Sequence, residues 1–173
     1  MAKATVDYLD LEGRLFPSSL MDNLNALFNR ELKPRHKFMT LVTLVLNPES
    51  GELITDNAGQ SYPYYYVATS KSTEEIQIPS MPLGATKKRR AKPETRFMQS
   101  GDAVILYSDG IIECANESGD MFGYERLNQT FVELLEKQFS AQQILDEMMQ
   151  KLDTFRKPGP YPDDVTLVLL KKL

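Results

Sequence analysis

The sequence predicts an α/β fold of the α+β type: a largely antiparallel sheet with helices packed outside it. Three observations carry this. Short apolar runs rich in β-branched and aromatic residues recur along the chain and read as roughly seven strands. Most neighbouring runs are joined by hairpin-like turns, which favours antiparallel pairing. Other segments repeat apolar residues at helical spacing, giving roughly three or four helices to cover the sheet. No internal repeat and no dividing linker are visible, so residues 1–173 read as a single domain.

Residues 1 to 15 begin with a helical pattern and then lose it. Pro17 fits the first turn of a helix, with Ser18 and Ser19 as caps and Leu20, Leu24, Leu27 and Phe28 on one face. Pro34 stops that helix before the basic loop around His36. Phe38 to Leu46 reads as a long buried strand. Asn47-Pro48-Glu49-Ser50-Gly51 is turn chemistry, and Glu52 to Asp56 is the returning strand. After the turn Asn57–Ser61, Tyr62 to Val67 reads as a strand that Pro63 confines to an edge or to its first residues. Its tyrosines are expected to bury their rings and keep their hydroxyls wet.

Glu74 to Ile78 is a weaker strand candidate, and Pro79–Gly84 a stiff loop. Lys87-Lys88-Arg89-Arg90-Ala91-Lys92 places five basic residues in six positions and reads as a solvated, mobile loop rather than an anion or nucleic-acid patch. Thr95 to Met98 forms another strand. Gly101-Asp102 is a tight turn, and Ala103 to Tyr107 a buried strand ending in Ser108-Asp109-Gly110. Beyond the polar turn Asn116–Gly119, one helix carries Leu127, Phe131, Leu134 and Leu135 on one face. The next opens with Ser140 and Gln143 as a capping box and carries Ile144, Met148, Leu152 and Phe155. Lys157–Pro162 breaks it, Asp163-Asp164 follow, and Val165 to Leu170 is a final buried strand.

Composition narrows the function classes. The net charge of −4 argues against a nucleic-acid binder. Cys114 is the only cysteine, which rules out an internal disulfide and fits a reducing compartment. With one His and one Cys, a structural zinc site is nearly excluded. No run approaches the ~18 apolar residues that span a bilayer, and Met1–Asp7 lacks the apolar core of a secretory signal.

Two acidic sites stand out. Asp109 ends one apolar strand, beside a glycine that permits close approach, and Asp163 and Asp164 precede another. Strand ends from distant parts of a chain can meet at one sheet edge. Carboxylates gathered there repel unless a cation neutralises them, and Mg²⁺ or Mn²⁺ favours such oxygen ligands. Two such ions could activate a water and clamp a phosphate. Two unrelated acidic turns explain the residues equally well.

The order Asn57-Ala58-Gly59, Met81-Pro82-Leu83-Gly84, Leu106-Tyr107-Ser108-Asp109-Gly110-Ile111-Ile112-Glu113, Phe122-Gly123 and Asp163-Asp164-Val165-Thr166 resembles the SpoIIE-like branch of the metal-dependent PPM (type 2C) protein phosphatases. The resemblance implies antiparallel sheets in a sandwich flanked by helices. It also implies hydrolysis of phosphoserine or phosphothreonine by a water held between two Mn²⁺ or Mg²⁺ ions. Asp109 and Asp163 match metal ligands, with Asp164 joining them in a supporting position. Gly110, Asn57 and Gly59 are neighbours of the site.

Two upstream motifs of the family have no match in this sequence: Gly-Asp-x-x-Asp, and an Asp-x-x-Gly-His-Gly turn. Gln60 stands where a His is frequent. The chain therefore reads as the C-terminal part of the domain, without its N-terminal strands and inactive by itself. The implied parent is a cytoplasmic phosphatase acting on a regulatory phosphoprotein of the anti-sigma-factor-antagonist type. A non-catalytic interaction module with a phosphatase-like fold is the alternative. No nucleic-acid partner and no membrane contact are expected within the chain, and uncovered strand edges predict a homo-oligomer.

Overall fold

A computed structural model describes residues 16–31 and 37–173; the expectations for residues 1 to 15, Pro34 and His36 fall outside these. In chain order the elements are α1 (Pro17–Glu31), β1 (Leu41–Leu46), β2 (Glu52–Ala58), β3 (Tyr64–Val67), β4 (Ser72–Glu75), β5 (Glu94–Phe97), β6 (Ala103–Tyr107), α2 (Asp109–Ile112), α3 (Gly123–Glu136), α4 (Ala141–Phe155) and β7 (Leu167–Lys171). Every strand pairing is antiparallel, as expected. The described residues gather into two compact units, those within 1–62 and 76–98, and those within 63–75 and 99–173. Because each unit draws on two separate stretches, no linker marks the division in the sequence.

The first unit holds α1 and the sheet β1-β2-β5. Pro17 occupies the first helical position, where its missing N–H costs nothing. Leu20, Met21, Leu24 and Phe28 cluster with Ala58 and Leu83. Leu27 is only partly buried; the polar Asn25 shares the buried face instead. The β1–β2 hairpin forms as read, with the Asn47 side chain accepting from the N–H groups of Glu49 and Ser50 at 3.0 and 3.1 Å. The strand before it is shorter and less buried than expected. It begins at Leu41, Phe38 is 55% exposed, and Met39 exchanges two backbone hydrogen bonds with Leu83. β1 is the outer strand among the described residues, so β2 takes the burial: Leu53, Thr55, Asp56, Asn57 and Ala58 are all buried. The strand also runs past Asp56 to Ala58, taking in Asn57.

The largest departure concerns the basic run. Arg89 is not solvated: its side chain is 3% exposed. It donates two parallel bonds to the buried Asp56 carboxylate, at 3.0 and 2.6 Å, and a third to the Asn57 carbonyl at 2.9 Å. The planar guanidinium fork suits a carboxylate in a way a lysine cannot. A charge-run argument counts residues and cannot see which one turns inward.

The second unit holds the sheet β4-β3-β6-β7 with α2, α3 and α4. β3 and β6 are central, so Tyr64, Tyr65, Tyr66 and Ala103–Ile105 are buried. Pro63 precedes β3 and removes no ladder bond. The hydroxyls are not all wet. Tyr65 donates to the Asp102 carboxylate at 2.6 Å, and Asp102, 3% exposed, also accepts from the N–H groups of Ala68 and Gln99 at 2.9 and 2.8 Å. The turn at Gly101-Asp102 is therefore an internal hub. β4 comes earlier than the Glu74–Ile78 reading, and β7 begins at Leu167 rather than Val165. β7 is an outer strand among the described residues, with Val168 51% exposed. The helices match their patterns. Leu127, Phe131, Leu134 and Leu135 of α3 and Ile144, Met148 and Leu152 of α4 enter one core, and Ser140 and Gln143 form the capping box.

Two stability predictions follow from the buried polar groups. Asp102→Ala strands three donors and should cost about 3–5 kcal/mol in urea unfolding, whereas Tyr65→Phe should cost about 1–2 kcal/mol. The second concerns alkali. Burial pushes the Tyr107 and Tyr64 phenols above the ordinary tyrosine range, with the negative Glu75 adding to both. A raised folded-state value favours the protonated form. The associated stability is intact below pH ~10 and is lost as pH rises through the unfolded value toward the folded one. Their phenolate absorbance should thus appear together with loss of far-ultraviolet ellipticity, and Tyr107→Phe should move that transition to higher pH.

Candidate active site

β6 and β7 are antiparallel neighbours, and the register pairs Tyr107 with Leu167. The C-terminal end of one strand therefore lies at the N-terminal end of the other. That juxtaposition brings the segment carrying Asp109 to the Asp163-Asp164 segment. Asp109 does not end the strand; it opens the short helix α2 after Ser108 in extended backbone.

Ser108 fastens the junction. Its N–H donates to the Thr166 carbonyl at 3.0 Å, and its hydroxyl donates to the Asp164 carbonyl while accepting from the Thr166 N–H, both at 2.9 Å. Gly110 is needed for the same approach. A Cβ at that position would lie 2.5 Å from the Asp164 carbonyl oxygen, closer than side-chain carbons come to backbone. The sequence reading took this glycine as room for a ligand. The space is filled by the chain's own backbone at Asp164.

The carboxylates themselves are exposed. Asp109 accepts from the Gly110 N–H at 3.1 Å, and Asp163 from the Asp164 N–H at 2.7 Å. Each is held by one local backbone donor, which leaves acceptor capacity for a further ligand. The donors are all oxygen, so they suit Mg²⁺ or Mn²⁺ held through one or two carboxylates with water completing the shell. Among the described residues no group of three or more His, Cys, Asp or Glu side chains is placed to hold an ion. Among the described residues, Asp109 and Asp163 are the carboxylates of these two segments that could hold a hard cation.

Asn57 and Gly59 belong to the first unit and have local work there. The Asn57 side chain closes a turn, donating to the Gln60 carbonyl and accepting from the Gln60 N–H, both at 2.9 Å. Gly59 has φ +74°, and a Cβ on it would meet the Pro82 ring at 2.8 Å. Asn57-Ala58-Gly59 and Met81-Pro82-Leu83-Gly84 are thus packed together. Sequence reasoning missed Ser108, Asp56 and Arg89. A serine before an aspartate signals a cap at best, and nothing local marks one arginine of four basic neighbours as buried.

The family model for Stage II sporulation protein E (SpoIIE) matches residues 1–172. This chain belongs to the SpoIIE family. It is 25% identical over 177 residues to the phosphoserine phosphatase RsbU of Bacillus subtilis (strain 168), a match covering 99% of this chain and 50% of RsbU. The SpoIIE-family chain therefore spans about half the length of that relative. Among solved structures, the SiaA PP2C domain of Pseudomonas aeruginosa aligns with a TM-score of 0.82 at 16% identity, over 98% of this chain and 67% of that one. The manganese-presoaked phosphatase domain of SpoIIE from Bacillus subtilis aligns at 0.59 and 16% identity, over 97% and 73%. The fold is that of PP2C-type phosphatase domains, as the motif order implied.

The junction makes two variants informative. Gly110→Ala should cost about 1–3 kcal/mol as Asp164 is pushed away, and Ser108→Ala about 1–2 kcal/mol for the lost bridge. Both should lower the midpoint of thermal melts accordingly. A Gly110→Ala protein that melts like the parent would show that the approach is looser than drawn.

Proposed function

We propose that this chain forms part of a metal-dependent protein serine/threonine phosphatase domain, both compact units contributing to one domain. The observation that supports the reading is the Ser108–Gly110–Asp164 junction, which joins the segment carrying Asp109 to the segment carrying Asp163 and Asp164. The membership in the SpoIIE family and the phosphoserine phosphatase activity in RsbU's name support it. Asp109 and Asp163 would hold Mn²⁺ or Mg²⁺, and Asp164 would steady the segment. A bound ion there would lower the pKa of a coordinated water and offset phosphoryl charge. The chain's own contribution is geometric: Ser108 and Gly110 fix the two acidic segments against each other, and the exposed edge admits a phosphorylated side chain.

The substrate we propose is a phosphoserine or phosphothreonine on a regulatory protein of the anti-sigma-factor-antagonist type, in the cytoplasm. Among the described residues no group of three or more His, Cys, Asp or Glu is placed to hold an ion, which supports low activity for this chain alone. The same observation favours a second reading, a phosphatase-like module that binds a partner without chemistry. Self-association through the outer strand β1, with Val45 and Phe38 exposed, is proposed alongside.

The deciding measurement is hydrolysis of a phosphoserine peptide and of a chromogenic phosphate ester in excess Mn²⁺, paired with calorimetric Mn²⁺ titration. Weak Mn²⁺ binding lost in Asp109→Asn, with little turnover, is the expected result. Robust turnover abolished by Asp109→Asn would show the site to be complete. Absence of Mn²⁺ binding altogether would favour the module. Light scattering should report a species larger than a monomer.

A further inference from the structure

The buried Arg89 has a consequence for its neighbours. The loop carrying it is anchored at both ends within the first unit. On one side the Asn25 side chain, 3% exposed, accepts from the Gly84 N–H at 3.0 Å and donates to the Thr86 carbonyl at 3.1 Å, with Asn29 donating to the same carbonyl at 2.7 Å. On the other side Arg89 is locked to Asp56 and to the Asn57 carbonyl. Lys87, Lys88 and Arg90 are held outward between and beyond these anchors, all exposed. Among the described residues none of the three has an acidic partner.

This loop borders a cleft of about 850 Å³ whose other wall includes Tyr62, Pro79 and Met81, the last 58% exposed. Arg89 lines the cleft as well, and its Nε is buried without a hydrogen-bond partner. The charge of Arg89 is answered by Asp56, and by Asp22 at 3.6 Å. The outer three cations are therefore a local surplus on a chain whose net charge is −4. Three cations with no acidic partner among the described residues, beside an apolar wall and on a backbone already fixed, are a ready complement to a negatively charged extended segment.

We propose that this cleft docks an acidic, carboxylate-rich segment of a partner protein, with its Asp and Glu side chains at Lys87, Lys88 and Arg90 and an apolar side chain on Tyr62, Pro79 and Met81. Carboxylates are favoured over phosphate because the outward cations that line the cleft, Lys87, Lys88 and Arg90, are spread along the loop and match single charges spaced along a segment rather than one dianion. Nucleic acid is disfavoured because three cations release few counterions and the net charge opposes a polyanion. The inference stands apart from the metal reading, since the cleft and the three aspartates belong to different units.

The test is fluorescence anisotropy of the whole chain, without added metal, using a short fluorescein-labelled Glu-rich peptide with one central Leu. Saturable binding that weakens with salt is expected. The triple variant Lys87→Ala, Lys88→Ala, Arg90→Ala should lose about tenfold or more in affinity while melting like the parent. If the triple variant melts earlier, the three single variants decide, each expected to lose a share of the affinity at unchanged melting. Failure to saturate, equal binding by folded variants, or tighter binding of a DNA oligomer or of a phosphoserine peptide lacking Asp and Glu would overturn the proposal.

Discussion

Between Gly110 and Asp164 there is no room for a side chain, and the candidate site depends on that contact. Two segments more than fifty residues apart in sequence meet where the β6–β7 ladder ends. The ladder alone fixes them only to within a strand spacing. The Ser108 hydroxyl then bridges Asp164 and Thr166, and the missing Cβ lets the backbones close the remaining distance. The strand ends thus hold the two acidic segments against each other through their backbones.

The first unit solves an analogous problem with opposite charges. Asp56 lies on the central strand β2 at 0% exposure, where an unpaired carboxylate would be strongly destabilising. Arg89 reaches it from a loop more than thirty residues on and occupies both carboxylate oxygens. Removing either partner of such a pair costs several kcal/mol, although a well-packed apolar replacement of both need not. What the pair specifies is position. It ties the basic loop to the strand that carries Asn57, beside the turn that packs Gly59 on Pro82.

The helices, the β1–β2 hairpin and the two central strands were legible in the sequence because their signals are local. Periodicity decides which face of α3 and α4 is apolar, Asn47 and Gly51 decide the hairpin turn, and Ser140 with Gln143 decides where α4 starts. The ordered motifs around Asn57, Pro82, Asp109 and Asp163 carried the family and the fold, because spacing along the chain is itself sequence information. The strand limits at Phe38–Leu46 and Val165–Leu170 were misread for one reason. A purely apolar run looks equally buried in a central and an outer strand, and only the sheet order distinguishes them.

The sequence by itself determined the chain's secondary-structure types, its antiparallel pairing and its family. Tertiary structure alone decided the jobs of single residues: Gly110 as a passage for backbone, Ser108 as a bridge, Asp102 as a buried hub, and Arg89 as the inward member of a basic run. Each of those roles is set by a partner far along the chain. Propensity and periodicity describe a residue's neighbours in sequence, whereas burial and hydrogen-bond geometry are fixed only when distant segments close on one another.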